Sequence, residues 1–254
     1  MRWVLLRGLT RETGHWGEVP DRLRAALGPG HEVVALDLPG NGARHGIRSP
    51  ASVEALTQAC RDQLTIKPPS VLVAMSLGAM VALEWARVAP QELAGAILIN
   101  TSAGGHSPFW QRLQPRNYAT LLRLAWPGIA VTEREQRILA LTSSDPQRHA
   151  AVLAEWTQFA AARPVGAGNA LRQLVAAARY RAPATKPPVP TLLLASTCDR
   201  LVSPACSQRL AQDWDVPLRM HPGAGHDLPL DDPDWLIQEI CAWAHREHSS
   251  SPSC

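Results

Sequence analysis

The chain has 254 residues, 46% of them hydrophobic, and a net charge of +3. That size supports one large packed domain with room for an inserted subdomain. The small net charge, with no long basic run, zinc-finger spacing or RNA-binding aromatic motif, excludes a nucleic-acid binder.

Cys60, Cys198, Cys206, Cys241 and Cys254 are odd in number, widely spaced and without a CxxC pair. They read as reduced thiols of a cytoplasmic protein rather than a disulfide frame. The opening apolar run is four residues long and ends at Arg7, too short for a signal peptide. No apolar stretch approaches the roughly 18 residues of a membrane span.

In chain order, short apolar runs at Trp3–Leu6, Val33–Leu36, Val71–Ala74, Ala96–Ile99, Thr191–Ala195 and Leu218–Met220 are bounded by turn residues. They read as buried strands of a mostly parallel sheet. Helical patterns lie between them near 17–27, 51–65 and 77–89, and later near 204–213 and 232–247. The last begins Asp231-Asp232-Pro233-Asp234, a helix cap with a first-turn proline. The tail from Ser249 to Cys254 is expected to be disordered.

The alternation breaks between His106 and Lys186. Only helical patterns occur there, at 115–125, 132–142, 146–162 and 167–180, before the linker Pro183 to Pro188. The expected organisation is therefore a core of residues 1–105 and 187–254 with a helical lid of residues 106–186.

Ala74-Met75-Ser76-Leu77-Gly78 joins the third apolar run to a helix. A serine among small residues at a sharp strand-to-helix turn is the pattern of a nucleophile elbow, which raises Oγ above the sheet. A serine needs a base to react at neutral pH. His226, in the glycine-rich loop after the last strand, supplies one, and Asp199, after the fifth strand, supplies the acid that orients it. Asp227 is adjacent to His226 and should point away, while Asp231 and Asp232 are accounted for by helix capping. The order Ser, Asp, His belongs to this elbow type. Oxyanion donors are expected from the backbone N–H of Leu77 and of Leu9, the latter in the loop Arg7-Gly8-Leu9-Thr10, where Gly8 allows close approach. The remaining histidines are scattered and no HxH or HExxH pattern occurs, so no metal and no cofactor are expected.

Taken together, Arg7-Gly8, the turn Asp37 to Gly42, the Ser76 elbow, the Asp199 turn and the His226 loop resemble the α/β-hydrolase superfamily. The resemblance spans almost the whole chain, beginning at what would be the family's third strand. The sequence carries Arg7 where the family usually has His, and Ala74 where it usually has Gly. The resemblance implies an α/β-hydrolase fold with a helical lid, and a serine hydrolase that cleaves a carboxylic ester of a small molecule. A thioesterase, a carrier-protein methyl ester esterase or a carbon–carbon hydrolase would use the same scaffold. So would a lyase or a non-hydrolytic ligand-binding protein, since fold does not dictate function.

The expected lid holds eleven Lys or Arg and four acids, a surplus of seven positive charges over a core of net −4. Solvated helix faces explain such a surplus. An anionic substrate or acyl carrier drawn to the lid is the sharper expectation. The inner face of a lid should be apolar, which makes Trp110 a pocket candidate among Phe109, Trp110, Trp126 and Trp156. The run Ile138 to Thr142 resembles the lid segment lining the acyl pocket in pimeloyl-carrier-protein methyl ester esterases. That resemblance implies Ile138, Leu141 and Thr142 as pocket residues, beside Leu9. A monomer is the expected state.

Overall fold

The computed structural model describes residues 1–64, 69–124 and 128–249. Six strands form one sheet in the order β2-β1-β3-β4-β5-β6. They are β1 (Arg2–Leu6), β2 (Glu32–Leu36), β3 (Ser70–Met75), β4 (Leu93–Ile99), β5 (Thr191–Ser196) and β6 (Leu218–His221). Every neighbouring pair is parallel. All six residues of β3 and of β5 are buried. This is why these strands appear in the sequence as unbroken apolar runs: helices cover both faces of a parallel sheet.

Between the strands run α1 (Val19–Leu27), α2 (Val53–Arg61) and α3 (Leu77–Val88). Ser52 caps α2 by accepting from the Ala55 N–H at 3.3 Å. Between β4 and β5 the described residues form α4 (Phe109–Arg112), α5 (Tyr118–Leu124), α6 (Val131–Thr142), α7 (Pro146–Ala162) and α8 (Ala167–Arg179), and no strand. After β5 come α9 (Pro204–Trp214), α10 (Leu228–Asp231) and α11 (Pro233–Ser249). The short helices α4 and α10 are unannounced by any periodicity, because four residues complete barely one turn. Trp126 and Cys254 lie outside the described residues, as does all but the first residue of the tail. Cys60, Cys198, Cys206 and Cys241 are free thiols.

The core has two main parts, one on each face of the sheet. On one face α1 and α11 close over Trp3, Leu5, Val71, Val73, Ile97 and Leu192. On the other, α2 and α3 pack on Val4, Leu6, Leu72, Ala74 and Leu98. Ala74 is fully buried in this second layer, between Leu6 and Leu98 in register, so its methyl is part of the packing. A third, smaller cluster of Leu139, Trp156 and Leu230 fastens α6 and α7 to α10. The insertion leaves and re-enters the core at neighbouring points, where Gly104 bridges Arg181. No described helix is long and apolar enough to cross a membrane.

Candidate active site

With every strand pointing the same way, the loops after β1, β3, β4, β5 and β6 all open at one edge of the sheet, the usual place for a site in such folds. Ser76 stands at the end of β3 as the N-cap of α3, with φ 54° and ψ −116°. A non-glycine residue there costs on the order of 1–3 kcal/mol and persists only where its surroundings impose it. They do so here. The Ser76 N–H donates to the Ile99 carbonyl at 2.9 Å. A Cβ on Gly78 would lie 2.6 Å from the carbonyl oxygens of both Leu6 and Arg7. Gly78 thus lets α3 start hard against the end of β1. A Cβ on Gly8 would come within 3.0 Å of the Ser76 Cβ and 3.5 Å of its Oγ, so the loop after β1 faces the serine directly.

His226 and Asp199 meet through Nδ1 and Oδ2 at 2.7 Å, both almost completely buried. The other oxygen of Asp199, Oδ1, accepts the N–H groups of Leu201 at 2.8 Å and Val202 at 2.9 Å, so the turn after β5 holds the carboxylate. With Nδ1–H donated to Asp199, Nε2 of His226 is the free, basic nitrogen. The peptide of His226 is fixed from the sheet edge. Asn100 donates Nδ2 to the carbonyls of His226 (2.8 Å) and Gly225 (3.2 Å), and its Oδ1 accepts the Ser196 N–H at 2.8 Å.

The residues on either side of His226 are held as well. Asp227 forms two hydrogen bonds with Arg7, and its N–H donates to the Thr142 carbonyl at 2.7 Å. Gly225 donates its N–H to Asp231 Oδ2 at 2.6 Å. Asp231 also accepts from Ser143 Oγ, Ser144 Oγ and the Ser144 N–H. This departs from the sequence expectation that Asp231 serves helix capping. Asp232 does the capping, accepting the Trp235 N–H at 2.9 Å, and its neighbour ties the histidine loop to the insertion.

The loop after β1 is braced from the insertion. Thr10, with φ 58°, donates its N–H to Gln173 Oε1 at 2.9 Å. Gln173 Nε2 donates to Asn41 Oδ1 at 2.7 Å, and Asn41 Nδ2 to the Arg11 carbonyl at 2.8 Å. Among the described residues the Leu9 N–H has no hydrogen-bond partner. Leu77 occupies the first position of α3, where a helix N–H has no intrahelical acceptor.

These groups surround a cavity of about 600 Å³, within the range of small-molecule sites. Leu9, Ser76, Leu77 and His226 line it, and so do Ile138, Leu141 and Thr142 on one face of α6. Thr142 turns its hydroxyl back onto the Ile138 carbonyl at 2.8 Å. Trp110 is not brought to the cavity: it is 52% exposed, edge-on to Phe109, and Phe109 is the residue that lines the wall. In a helix as short as α4, nothing in the sequence distinguishes the two neighbours.

Several residues important to this geometry escaped the sequence reading. Arg7, Asp227, Asn100 and Asp231 act over separations that leave no local pattern. Asn169 and Gln173 did leave one. Two amides four residues apart share a face of α8, and both reach loops of the core. Among the described residues no group of three or more His, Cys, Asp or Glu converges as a metal site.

Residues 3–239 match the model of the alpha/beta hydrolase family. The protein named "Putative carbamate hydrolase RutD" of Variovorax paradoxus (strain S110) is 31% identical over 238 residues, covering 88% of this chain and 84% of that one. Among solved structures, a thermophilic esterase from Thermogutta terrifontis superposes with a TM-score of 0.75 at 22% identity, covering 98% of this chain and 90% of that one. The enol-lactonase from Burkholderia xenovorans LB400 does so with 0.77 at 17% identity, covering 96% and 91%. At these identities the two structures speak for the fold.

Proposed function

The chain belongs to the alpha/beta hydrolase family, and on that premise we propose that it cleaves carboxylic esters through a Ser76–His226–Asp199 triad. The observation that carries the proposal is the buried 2.7 Å contact of His226 Nδ1 with Asp199, in a cavity whose wall also holds the strained Ser76.

In this reaction Ser76 Oγ attacks the acyl carbon while His226 Nε2 takes its proton, and Asp199 stabilises the imidazolium. The carbonyl oxygen becomes an oxyanion held by the N–H groups of Leu9 and Leu77. Collapse of the tetrahedral intermediate breaks the ester C–O bond, and His226 gives the proton to the departing alcohol. A water then gives its proton to His226, attacks the acyl-serine and releases the acid, and the proton returns to Ser76. The chemistry needs no cofactor. The helical insertion would act as the lid, with α6 and α8 supplying the apolar walls.

The same triad would cleave a carbamate. Identity of 31% to a protein bearing a carbamate hydrolase name favours that as a second substrate class. A thioester would fit the same mechanism.

A fluorophosphonate probe followed by a panel of short acyl esters, thioesters and carbamates tests the proposal. Covalent labelling of the wild type but not of Ser76→Ala, with ester turnover, is the expected result. No labelling and no turnover would refute it and leave a ligand-binding or lyase role. Removing Ser76 or His226 should cost several orders of magnitude in rate, and the losses should not add.

A further inference from the structure

Three carboxylates face the cavity, and each is matched by a guanidinium: Asp227 by Arg7, Glu135 by Arg11 and Glu12 by Arg163. Two cations of the wall remain, Arg112 and Arg134. Arg112 is spent on the carbonyls of Ala177 and Ala178. The side chain of Arg134 has no carboxylate or hydrogen-bond partner among the described residues, and its Nε is buried. Arg11 is 7% exposed. It engages Glu135 and His15 through Nη1, while its Nη2 is buried without a partner.

Both arginines meet the cavity wall beside the start of α6. Arg134 is adjacent in the chain to Glu135, which holds Arg11, in the first turns of α6. The opposite end of α6 touches the catalytic loop, where the Thr142 carbonyl accepts the Asp227 N–H. Eight residues separate Arg134 from Thr142, about 12 Å along the helix axis. A buried guanidinium N–H without an acceptor is costly, and a carboxylate is the acceptor whose geometry suits two such forks best.

We propose that Arg134 and Arg11 form an anion subsite at the far end of the cavity. It selects esters whose far end carries a carboxylate. The proposal rests on the ester reading for turnover, though not for binding. It also places part of the insertion's positive surplus inside the cavity rather than on a solvated face.

Two series of p-nitrophenyl esters test it. One ends in a carboxylate and the other in a carboxamide, over increasing chain lengths. In the wild type the carboxylate series should be favoured about tenfold or more in kcat/KM, mostly through KM. The preference should peak at one chain length and shrink with added salt. Arg134→Gln should lower the preference about tenfold or more. Arg179→Gln removes the same charge from an exposed position on α8 and should preserve it. A wild-type preference near one, or an equal change in both variants, would overturn the subsite.

Calorimetric titration with octanedioate is run in parallel, because it reads binding whether or not any ester is turned over. Binding that Arg134→Gln weakens tenfold or more supports the subsite, and absence of binding overturns it. Failure of both ester series with octanedioate binding intact would count against the esterase reading alone.

Discussion

Arg7 and Asp227 clasp each other through two parallel hydrogen bonds, Nη1 to Oδ1 at 3.0 Å and Nη2 to Oδ2 at 2.6 Å, with both side chains almost wholly buried. Arg7 immediately precedes Gly8 and the loop that faces Ser76, and Asp227 immediately follows His226. The pair therefore holds the two halves of the site at a set spacing. The guanidinium also lies 5.2 Å from the centre of the Trp16 ring, which gives it an apolar bed as well as a counter-charge. It explains why an arginine can stand where this fold usually carries a histidine.

Breaking such a pair leaves an uncompensated buried charge, which typically costs about 3–5 kcal/mol. Asp227→Asn should lower stability by about 3 kcal/mol or more, on the order of 10 °C in Tm for a chain of this size. It should also lower kcat, because both loops move. Urea melts and ester kinetics on the same preparation would check this. Unchanged stability would mean that the pair carries no strain-bearing role. The double replacement Arg7→Met with Asp227→Leu should recover much of the stability but not the rate.

Gly78 is a second point where geometry leaves no freedom. A methyl there would meet two backbone carbonyl oxygens, each 2.6 Å away, and neither belongs to a flexible side chain. Gly78→Ala should cost about 1–3 kcal/mol through overpacking and displace Ser76 enough to cut fluorophosphonate labelling. At Gly168, on α8, an added Cβ meets nothing within 4 Å and φ is not in the left-handed range. Gly168→Ala should be neutral or stabilising by about 0.4–1 kcal/mol. Thermal melts of the two variants, side by side, separate local strain from a general intolerance of alanine.

The contrast between these residues explains what the sequence made legible. The six strands could be read because parallel strands covered on both faces are unbroken apolar runs; five appear within a residue of their expected bounds, and β4 starts three residues earlier, at Leu93. Ser76, Asp199 and His226 could be put forward together as candidates because each sits in a turn after a strand, and parallel strands bring such turns to one edge. Arg7 and Asp227 are 220 residues apart, and a lone charge beside a glycine gives no sign of its partner. The inner face of the insertion was legible only where a resemblance supplied it, as for the lid segment Ile138 to Thr142, and not from helical period. Ile138, Leu141 and Thr142 on α6 fall together on the cavity wall, while on the four-residue α4 the wall falls to Phe109 rather than Trp110. Asp231 misled for a different reason: a cap motif explained it locally, and its actual partners, Ser143, Ser144 and Gly225, come from two other segments of the chain.

His15 should give the protein an acid-sensitive step in stability. Its ring packs edge-on against Trp156, with centroids 4.6 Å apart. Burial, and then the charges of Arg11, Arg7 and Arg163, push its pKa well below the ordinary 6.5, while the Glu12 carbonyl opposes the shift. The native protein therefore keeps His15 neutral where the unfolded chain would protonate it. Stability from this group is complete above about pH 6.5 and is lost as pH falls below it, by up to about 1.4 kcal/mol per pH unit until the native pKa is reached. Urea melts between pH 5 and 7.5 should show this slope in the wild type, and His15→Gln should flatten it. An identical slope in both would assign the acid sensitivity to other groups.

Asp231 and Asp232 are neighbours with different tasks, and substitution should separate them. Asp232 caps α11 through the Trp235 N–H and also bonds His221, whose Nδ1 accepts the Gly223 and Ala224 N–H groups, so Asp232→Ala should cost about 1 kcal/mol of stability and lower kcat less than Asp231→Ala does. Asp231 accepts the Gly225 N–H beside His226 and three donors from Ser143 and Ser144 at the end of α6. Hydrogen bonds to a charged group are worth about 1.5–3 kcal/mol each when broken singly, though in a shared network the losses do not simply add. Asp231→Ala should therefore cost more than its neighbour in a melt. It should also lower kcat about tenfold, because the histidine loop loses one of its ties to the insertion while the Asp227 N–H bond to the Thr142 carbonyl remains. Ser143→Ala removes a single strand of that tie and should fall between the two. Equal kinetic effects from Asp231→Ala and Asp232→Ala would show that the Asp231 bonds do not position the histidine loop, leaving that to Asn100, the Thr142 carbonyl and the Arg7–Asp227 pair.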